Sequence, residues 1–422
     1  MKMKYFVTLI LTFLCLGKLS AQDYPFDITY YPFVNYKGGK LIFSNDSSKF
    51  ERIFQKTDSL IKFGKGKLTV VQIGASHTQA DIFSHQLRVR LQTFHPGLVG
   101  ARGFVFPYRM TKSNNPSNYI VSYSGFWTTC RNVEWKRSCE LGISGASATT
   151  LDVNARISIS MNPNNQVKYD FNEVKIFTAP HLGQFEIVPD VEMGNYTVSK
   201  IDSLGYIDIK FEKYQEVAKF HFEKTDSLQT GFTLYGFSLE NDNPGVTYSG
   251  LGINGASFSS WLGCAHFEKQ LQMLNPDWFV IFLGVNDANT AHFDENFYYN
   301  NYVTFIERVK RYCPNAVWTF VVPNDFYLFR KRPNPAMEKE EEVVKKLVKK
   351  YNESMFSIYD IMGGYGSSLT WVQNGLMAYD KVHMTATGYT FCADMFFNAF
   401  LQSYSNYLDK KNSQKTVKNG RN

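Results

Sequence analysis

Cysteine is scarce in this chain, charge of one sign is scarce, and long apolar runs are missing beyond the first few turns. The six cysteines among 422 residues are not spaced as a metal set. No motif for an organic cofactor stands beside them, so no cofactor is indicated. Lys and Arg number 45 against 38 Asp and Glu, a formal balance of +7. Part of that excess is terminal: Lys2, Lys4 and Lys18 at one end, and Lys410, Lys411, Lys415, Lys418 and Arg421 at the other. The body between is near neutral, which excludes a nucleic-acid-binding stripe or a broad electrostatic anchor on anionic lipid.

One apolar run, Tyr5 to Leu16, follows the positive start Met1-Lys2-Met3-Lys4 and precedes the small residues Leu19-Ser20-Ala21. It is too short for a comfortable membrane span and reads as a secretory signal over residues 1–21. The expected mature chain starts near Gln22, has no membrane span and works in the periplasm or outside the cell. A lipid anchor on Cys15 is disfavoured by the bulky Phe13 and Leu14 before it. In an oxidising compartment Cys130 and Cys139 are candidates for a disulfide. Cys264, Cys313 and Cys392 fall in helix-like patterns and read as buried small hydrophobes.

What is present centres on Val70-Val71-Gln72-Ile73-Gly74-Ala75-Ser76-His77-Thr78-Gln79-Ala80-Asp81. A β-branched apolar run ends in Gly-x-Ser and a helix-like pattern follows from about Gln79 to Phe94, so Ser76 belongs at the carboxyl end of a buried strand. Open α/β sheets keep their chemistry there. The plain alternative is a capping serine at a strand-to-helix turn. The Gly-x-Ser-x-Gly elbow does not apply, because Thr78 stands where the second glycine would be.

Three further stretches bear on the choice. Asp380-Lys381-Val382-His383 puts a carboxylate three residues from an imidazole, close enough in a turn to fix its tautomer. Gly252-Ile253-Asn254-Gly255-Ala256-Ser257 follows one expected strand, and Leu283-Gly284-Val285-Asn286-Asp287 ends another. An ester-cleaving site needs these types of group: an oxygen nucleophile, a proton shuttle and donors for an oxyanion.

In order and residue type, Ser76, Gly255, Asn286 and Asp380/His383 resemble the four blocks of the SGNH (GDSL-like) esterase and acylhydrolase family. The resemblance implies that Ser76 is the nucleophile and, through its N–H, one oxyanion donor, with Gly255 and Asn286 the others. It makes His383 the general base and acid, and Asp380 its orienting partner. Ala75 departs from the aspartate usual before the serine, which weakens the first block without removing a catalytic group. Gly252, three residues before Gly255, competes for the second-block role. Asn-Asp after a strand is also ordinary turn chemistry, the plain reading of Asn286. His77 adjoins Ser76 in the chain, but successive side chains diverge, so it is assigned to packing or to the substrate side.

Ser76 and Asn286 stand 210 residues apart, far more than one or two βα units occupy. Between about 141 and 243 the pattern changes to alternation alone, as in Tyr206-Ile207-Asp208-Ile209-Lys210-Phe211 and Ala218-Lys219-Phe220-His221-Phe222. This predicts a β-sandwich inserted into an α/β domain. The expected division is signal 1–21, hydrolase domain 22–140 and 244–408, insert 141–243, and a disordered basic tail over 409–422. Outside the insert, strands are expected at 68–73, 246–251, 278–283, 317–322 and 355–359. Helices are expected at 79–94, 258–274, 297–312, 336–351 and 387–404. The fold class is therefore α/β, a three-layer α/β/α parallel sheet with an inserted β-sandwich. Two echoes flank the insert, Leu141-Gly142-Ile143-Ser144-Gly145-Ala146-Ser147 and Leu251-Gly252-Ile253-Asn254-Gly255-Ala256-Ser257, and suggest where the chain leaves and re-enters the main sheet.

Arg102 to Tyr108, Asn114 to Tyr119 and Phe126-Trp127 are dense in aromatic and amide side chains, which suits either sugar rings or packing between domains. A secreted SGNH enzyme with such an insert resembles the peptidoglycan O-acetylesterases, whose inserted domain is similar to a carbohydrate-binding module. That resemblance implies removal of acetyl groups from the muramoyl 6-hydroxyl of peptidoglycan. Acetylated xylan or pectin, acetyl transfer between glycans, and glycan binding without catalysis are the alternatives. Oligomeric state is not legible.

Overall fold

In the computed structural model, residues 28–180 and 183–419 are described. The expected signal segment 1–21 and the tail positions 420–422 lie outside them. Strand Ile42–Phe43 (β1) and a helix over Glu51–Phe63 lead into Lys67–Gly74 (β2). The chain then leaves the main sheet for eleven strands. These are Gly103–Val105 (β3), Tyr119–Ser124 (β4), Thr128–Arg131 (β5), Ala146–Thr150 (β6), Arg156–Met161 (β7), Phe171–Thr178 (β8), Glu186–Pro189 (β9), Tyr196–Ile201 (β10), Tyr206–Gln215 (β11), Val217–Glu223 (β12) and Phe232–Glu240 (β13). It returns as Gly245–Gly252 (β14) and continues through Trp278–Phe282 (β15), Val317–Val322 (β16), the small hairpin Tyr327–Leu328 (β17) and Arg332–Pro333 (β18), and Ser354–Ser357 (β19).

The main sheet has the order β1-β19-β16-β15-β2-β14, parallel except for β1 at its edge. Strand β14 follows β2 to one side, and β15 then crosses to the other, so the winding reverses at β2. Such a reversal opens a crevice beyond the carboxyl ends of the strands. Every residue of β15 and β16 is buried, as expected where helices cover both faces. On one face Trp278 stacks on Phe396 and Phe400 of the helix Ala386–Asn419, which also meets Phe54 of the Glu51–Phe63 helix. On the other, Phe258 packs on Tyr302 of the helix Glu295–Tyr312, and Tyr302 on Phe320.

The inserted strands form two antiparallel sheets. One runs β10-β11-β8-β13-β6-β5 with β3 also on β13, and the other β4-β7-β12-β9. Their inward residues, such as Val121, Ile157, Ile176, Phe220 and Phe237, share a core separate from that of the main sheet.

Several boundaries differ from expectation. Strands β3, β4 and β5 lie before residue 141, so the two sheets begin near Gly103. Tyr119 and Val121 point inward while Ile120 and Ser122 face out, the same alternation in shorter pieces. The echo at 141–147 runs from the β5–β6 connection into the start of β6, inside the insert, so it does not mark the exit from the main sheet; the echo at 251–257 does stand at the re-entry. The expected helix at 79–94 is two helices, Ser76–Gln79 and Phe83–Thr93, parted at Asp81, whose φ of 48° is left-handed. The one expected at 258–274 breaks at Gly263 into Phe258–Leu262, Phe267–Leu271 and a last turn. Strand β19 stops at Ser357, whose hydroxyl caps the helix Ile358–Met362. The tail is not disordered from 409: the last helix continues to Asn419, with Lys410 on Glu51 and Lys411 on Asp58. Cys130 and Cys139 are disulfide-bonded, and Cys264, Cys313 and Cys392 are free and buried.

Candidate active site

Parallel register brings the motifs together. Gly74 is opposite Gly252 on one side and Phe282 on the other, so β14, β2 and β15 end in line. The residues just past those ends, Gly255, Ser76 and Asn286, therefore reach one crevice. They line a cavity of about 640 Å³ together with His383.

Ser76 opens the short helix after β2, where first-turn N–H groups have no intrahelical acceptor. The turn lies so close on β14 that a Cβ on Gly252 would stand 2.4 Å from the Gln79 nitrogen. Only glycine fits there. Gly252 is thus a packing position, whereas Gly255, at φ +85°, lines the cavity.

His383 Nε2 is 3.0 Å from Ser76 Oγ, and His383 Nδ1 is 2.7 Å from Asp380 Oδ2. The other carboxylate oxygen of Asp380 accepts the N–H groups of Val382 and His383, both at 3.0 Å. Burial acts to raise the pKa of Asp380, but the His383 ring and those two N–H groups outweigh it and hold the carboxyl below its usual range. The ionised carboxylate thus fixes Nδ1 as the protonated nitrogen and leaves Nε2 as an acceptor for the serine hydroxyl.

Asn286 donates one Nδ2–H to the Ala256 carbonyl at 2.9 Å, which leaves its second hydrogen for the cavity. Next to it, Asp287 accepts the Phe258 N–H at 3.1 Å. The loops after β14 and β15 are thereby tied into one unit. Behind them Gly284, at φ +136°, sits where a Cβ would collide with the Glu340 carboxyl. Burial pushes the pKa of Asp287 up to about 7, and burial together with Asp287 raises that of Glu340 well above its usual value.

His77 is buried away from the serine. Its ring stacks on Phe282, lies 5.5 Å from the His383 ring, and takes a 2.7 Å hydrogen bond with the Tyr389 hydroxyl. Burial, then the neighbouring His383, pushes its pKa down to about 3, so it is a neutral packing group behind the relay.

The aromatic and amide segment divides between its two readings. Phe104, Phe106 and Tyr108 are buried packing, Phe126 is exposed, and Asn114 lines the cavity. Asn114 is placed by Gln79, whose amide donates to the Asn114 carbonyl at 2.9 Å and accepts the Asn254 N–H at 2.7 Å. The hairpin residues Phe329 and Arg330, with Asn289 and Tyr389, complete much of the wall. Asn289, Phe329 and Arg330 had no sequence signal, because they come from loops without periodicity or motif, and Tyr389, in the helix Ala386–Asn419, was expected only as part of that helix. Among the described residues no cluster of three His, Cys, Asp or Glu is placed to hold a metal, and no helix is long and apolar enough to cross a membrane.

Residues 225–391 match the GDSL-like Lipase/Acylhydrolase family. That span holds Gly255, Asn286, Asp380 and His383; Ser76 lies upstream, on the other side of the inserted strands. No curated protein matches the chain. Among solved structures, a peptidoglycan O-acetylesterase is similar with a TM-score of 0.72 at 20% identity, over 87% of this chain and 99% of that one. At that identity the likeness shows a shared fold, inserted strands included. A lipase/acylhydrolase from Enterococcus faecalis (TM-score 0.30, 19% identity, 36% of this chain and 74% of that one) matches a smaller part. So does the acetyl xylan esterase AlAXEase (TM-score 0.30, 20% identity, 36% and 81%).

Proposed function

From a chain that carries an ester-hydrolase domain of the GDSL-like lipase/acylhydrolase family, we infer a secreted O-acetylesterase that deacetylates peptidoglycan at the muramoyl 6-hydroxyl. The observation that carries the chemistry is the relay of Ser76, His383 and Asp380, at 3.0 and 2.7 Å, at the mouth of an open cavity. Ser76 Oγ attacks the acetyl carbonyl while His383 Nε2 takes its proton. The oxyanion is held by the N–H groups of Ser76 and Gly255 and the free Nδ2–H of Asn286. His383 then gives the proton to the departing sugar oxygen, leaving an acetyl ester on Ser76. Water, deprotonated by the same imidazole, attacks that ester and releases acetate.

The glycan and compartment rest on separate support. The similar structure that shares the inserted strands is a peptidoglycan O-acetylesterase, and Asn114, at the foot of the insert, lines the cavity. The Cys130–Cys139 disulfide fits an oxidising compartment outside the cytosol. Acetate release from O-acetylated peptidoglycan and from acetylated xylan, wild type beside Ser76→Ala, tests both parts. Release from peptidoglycan should dominate and vanish in the variant. Equal release from the two polymers would undo the peptidoglycan assignment, and undiminished release by Ser76→Ala would undo the nucleophile.

A further inference from the structure

Over the cavity stands the tip of the β17–β18 hairpin, held from both sides of the relay. Tyr327 donates its N–H to the Lys381 carbonyl at 2.8 Å, which joins one end to the Asp380–His383 turn. Asn334 donates its side-chain amide to the Ala288 carbonyl at 3.0 Å, and Phe329 its N–H to Asn289 Oδ1 at 3.1 Å, which joins the other to the Asn286 loop. At the tip, Phe329 and Arg330 both have left-handed backbones, with φ of 50° and 63°. That turn presents two consecutive side chains to the cavity, one an exposed aromatic face and the other a guanidinium.

Arg330 is the one arginine or lysine among the residues lining the cavity, and no aspartate or glutamate lines it. Its side chain is 65% exposed. Its nearest anion, Asp380 Oδ2, is 3.8 Å away and already engaged by His383 Nδ1 at 2.7 Å. At 3.8 Å the two are too far apart for a hydrogen bond. Among the described residues the guanidinium has no other partner, so its planar fork of donors is open toward the cavity. Such a fork matches a carboxylate in two parallel hydrogen bonds, and an aromatic face beside it suits the C–H face of a sugar ring.

We propose that Phe329 and Arg330 make this a site for esters of acidic sugars, Arg330 holding a carboxylate carried by the acetylated sugar while Phe329 stacks on its ring. The assignment rests on the glycan-ester reading above and narrows it. It accounts for a lone cation placed at the rim of a site whose own chemistry needs none there. The muramoyl residue of a glycan strand stripped of its stem peptide meets the requirement, since its lactyl carboxyl, no longer in amide linkage to the peptide, lies on the same ring as the 6-O-acetyl group.

The test compares the full-length protein on two probes that carry the same ester and differ by the lactyl carboxylate, 6-O-acetyl-N-acetylmuramic acid and 6-O-acetyl-N-acetylglucosamine. 4-Nitrophenyl acetate serves as a reference for the relay. The readout is the ratio of kcat/KM on the acidic to the neutral sugar, which cancels losses common to both. Arg330→Gln should lower that ratio about tenfold, the scale of one charge-assisted contact at a partly exposed site, and do so through KM. Arg330→Glu should lower it further, Arg330→Lys should keep most of it, and added salt should shrink the wild-type preference. An unchanged ratio in Arg330→Gln, or an equal fall on all three esters through the neighbouring Asp380, overturns the proposal and leaves the esterase standing. A wild-type protein that cleaves 4-nitrophenyl acetate but neither sugar overturns the glycan reading, and this proposal with it.

Discussion

Asp81 is where the inserted strands are fastened to the strand end that carries Ser76, and its replacement by asparagine isolates one charge. The carboxylate sits five residues after Ser76 with Arg88 at 3.0 Å and Arg102 at 2.7 Å, their side chains 0% and 2% exposed. Asn118, just before β4, donates to it at 2.8 Å, and Ser84 also donates to it. Burial alone would raise its pKa, but the two guanidinium groups hold it far below the usual carboxylate range. Asparagine keeps the shape and tolerates the left-handed backbone at this position, so Asp81→Asn removes charge without adding strain. It leaves two guanidinium groups buried without their shared anion, at a cost of about 3–5 kcal/mol. With a urea slope of about 3 kcal/mol per molar for a chain of this size, the midpoint of unfolding should fall by about 1 M or more. The sign with pH follows from the lowered pKa. A carboxylate with a folded pKa below its unfolded value stabilises fully above the unfolded value and loses that contribution as pH falls toward the folded one. The gap between wild type and variant should therefore be constant from about pH 5 to 8 and narrow below about pH 4. Urea unfolding of both proteins at several pH values measures it. A shift under about 0.3 M at neutral pH, or a gap that does not close in acid, would refute the reasoning.

Asn286→Ala should lower kcat on an acetyl ester by about a hundredfold to a thousandfold with little change in KM, as expected for a donor used only once the oxyanion forms; initial-rate kinetics decide, and a loss confined to KM would point to ground-state binding. Asp287 has a buried Oδ2 with no partner and a pKa pushed up to about 7, so the folded protein keeps a proton that the unfolded chain releases near pH 4. Wild-type stability should therefore fall by about 1.4 kcal/mol per pH unit between those values because of this group. Asp287→Asn keeps the acceptor for the Phe258 N–H and should remove that slope; parallel stability curves for the two proteins from pH 4 to 7 would contradict it. Reduction of the disulfide, whose cysteines are nine positions apart, should lower stability by about 3 kcal/mol; an unfolding midpoint indifferent to reductant would show that the denatured loop is already confined.

How much of this was legible from residues alone depends on what each part of the molecule requires. That Ser76, Asn286, Asp380 and His383 come together at one crevice could be read because the relay and oxyanion site proposed for them need particular side chains, and strand ends mark where such side chains go. The strands of the main sheet could be read because β15 and β16 are buried on both faces and appear as unbroken apolar runs. The choice between Gly252 and Gly255 could not, since it turns on a 2.4 Å approach of Gln79 to β14, a contact between segments 173 positions apart. The start of the insert near Gly103 was hidden because β3 has three residues and β5 four, too few for alternation to register. Arg88 and Arg102 look like solvated charges on a helix and a loop, and only the folded chain shows both buried on Asp81. The β17–β18 hairpin is shorter still, and nothing in Tyr327 to Pro333 announces a strand. The division follows the chemistry: groups that act on a substrate are constrained in type and leave a mark at one position. Groups that hold them in place are constrained in pairs, such as Gln79 with Ser113 or Asp81 with Arg102, and half of a pair looks ordinary. A second chain with the same four motifs but without the partners of Gln79 and Asp81 would thus read identically as a sequence and hold its relay less firmly.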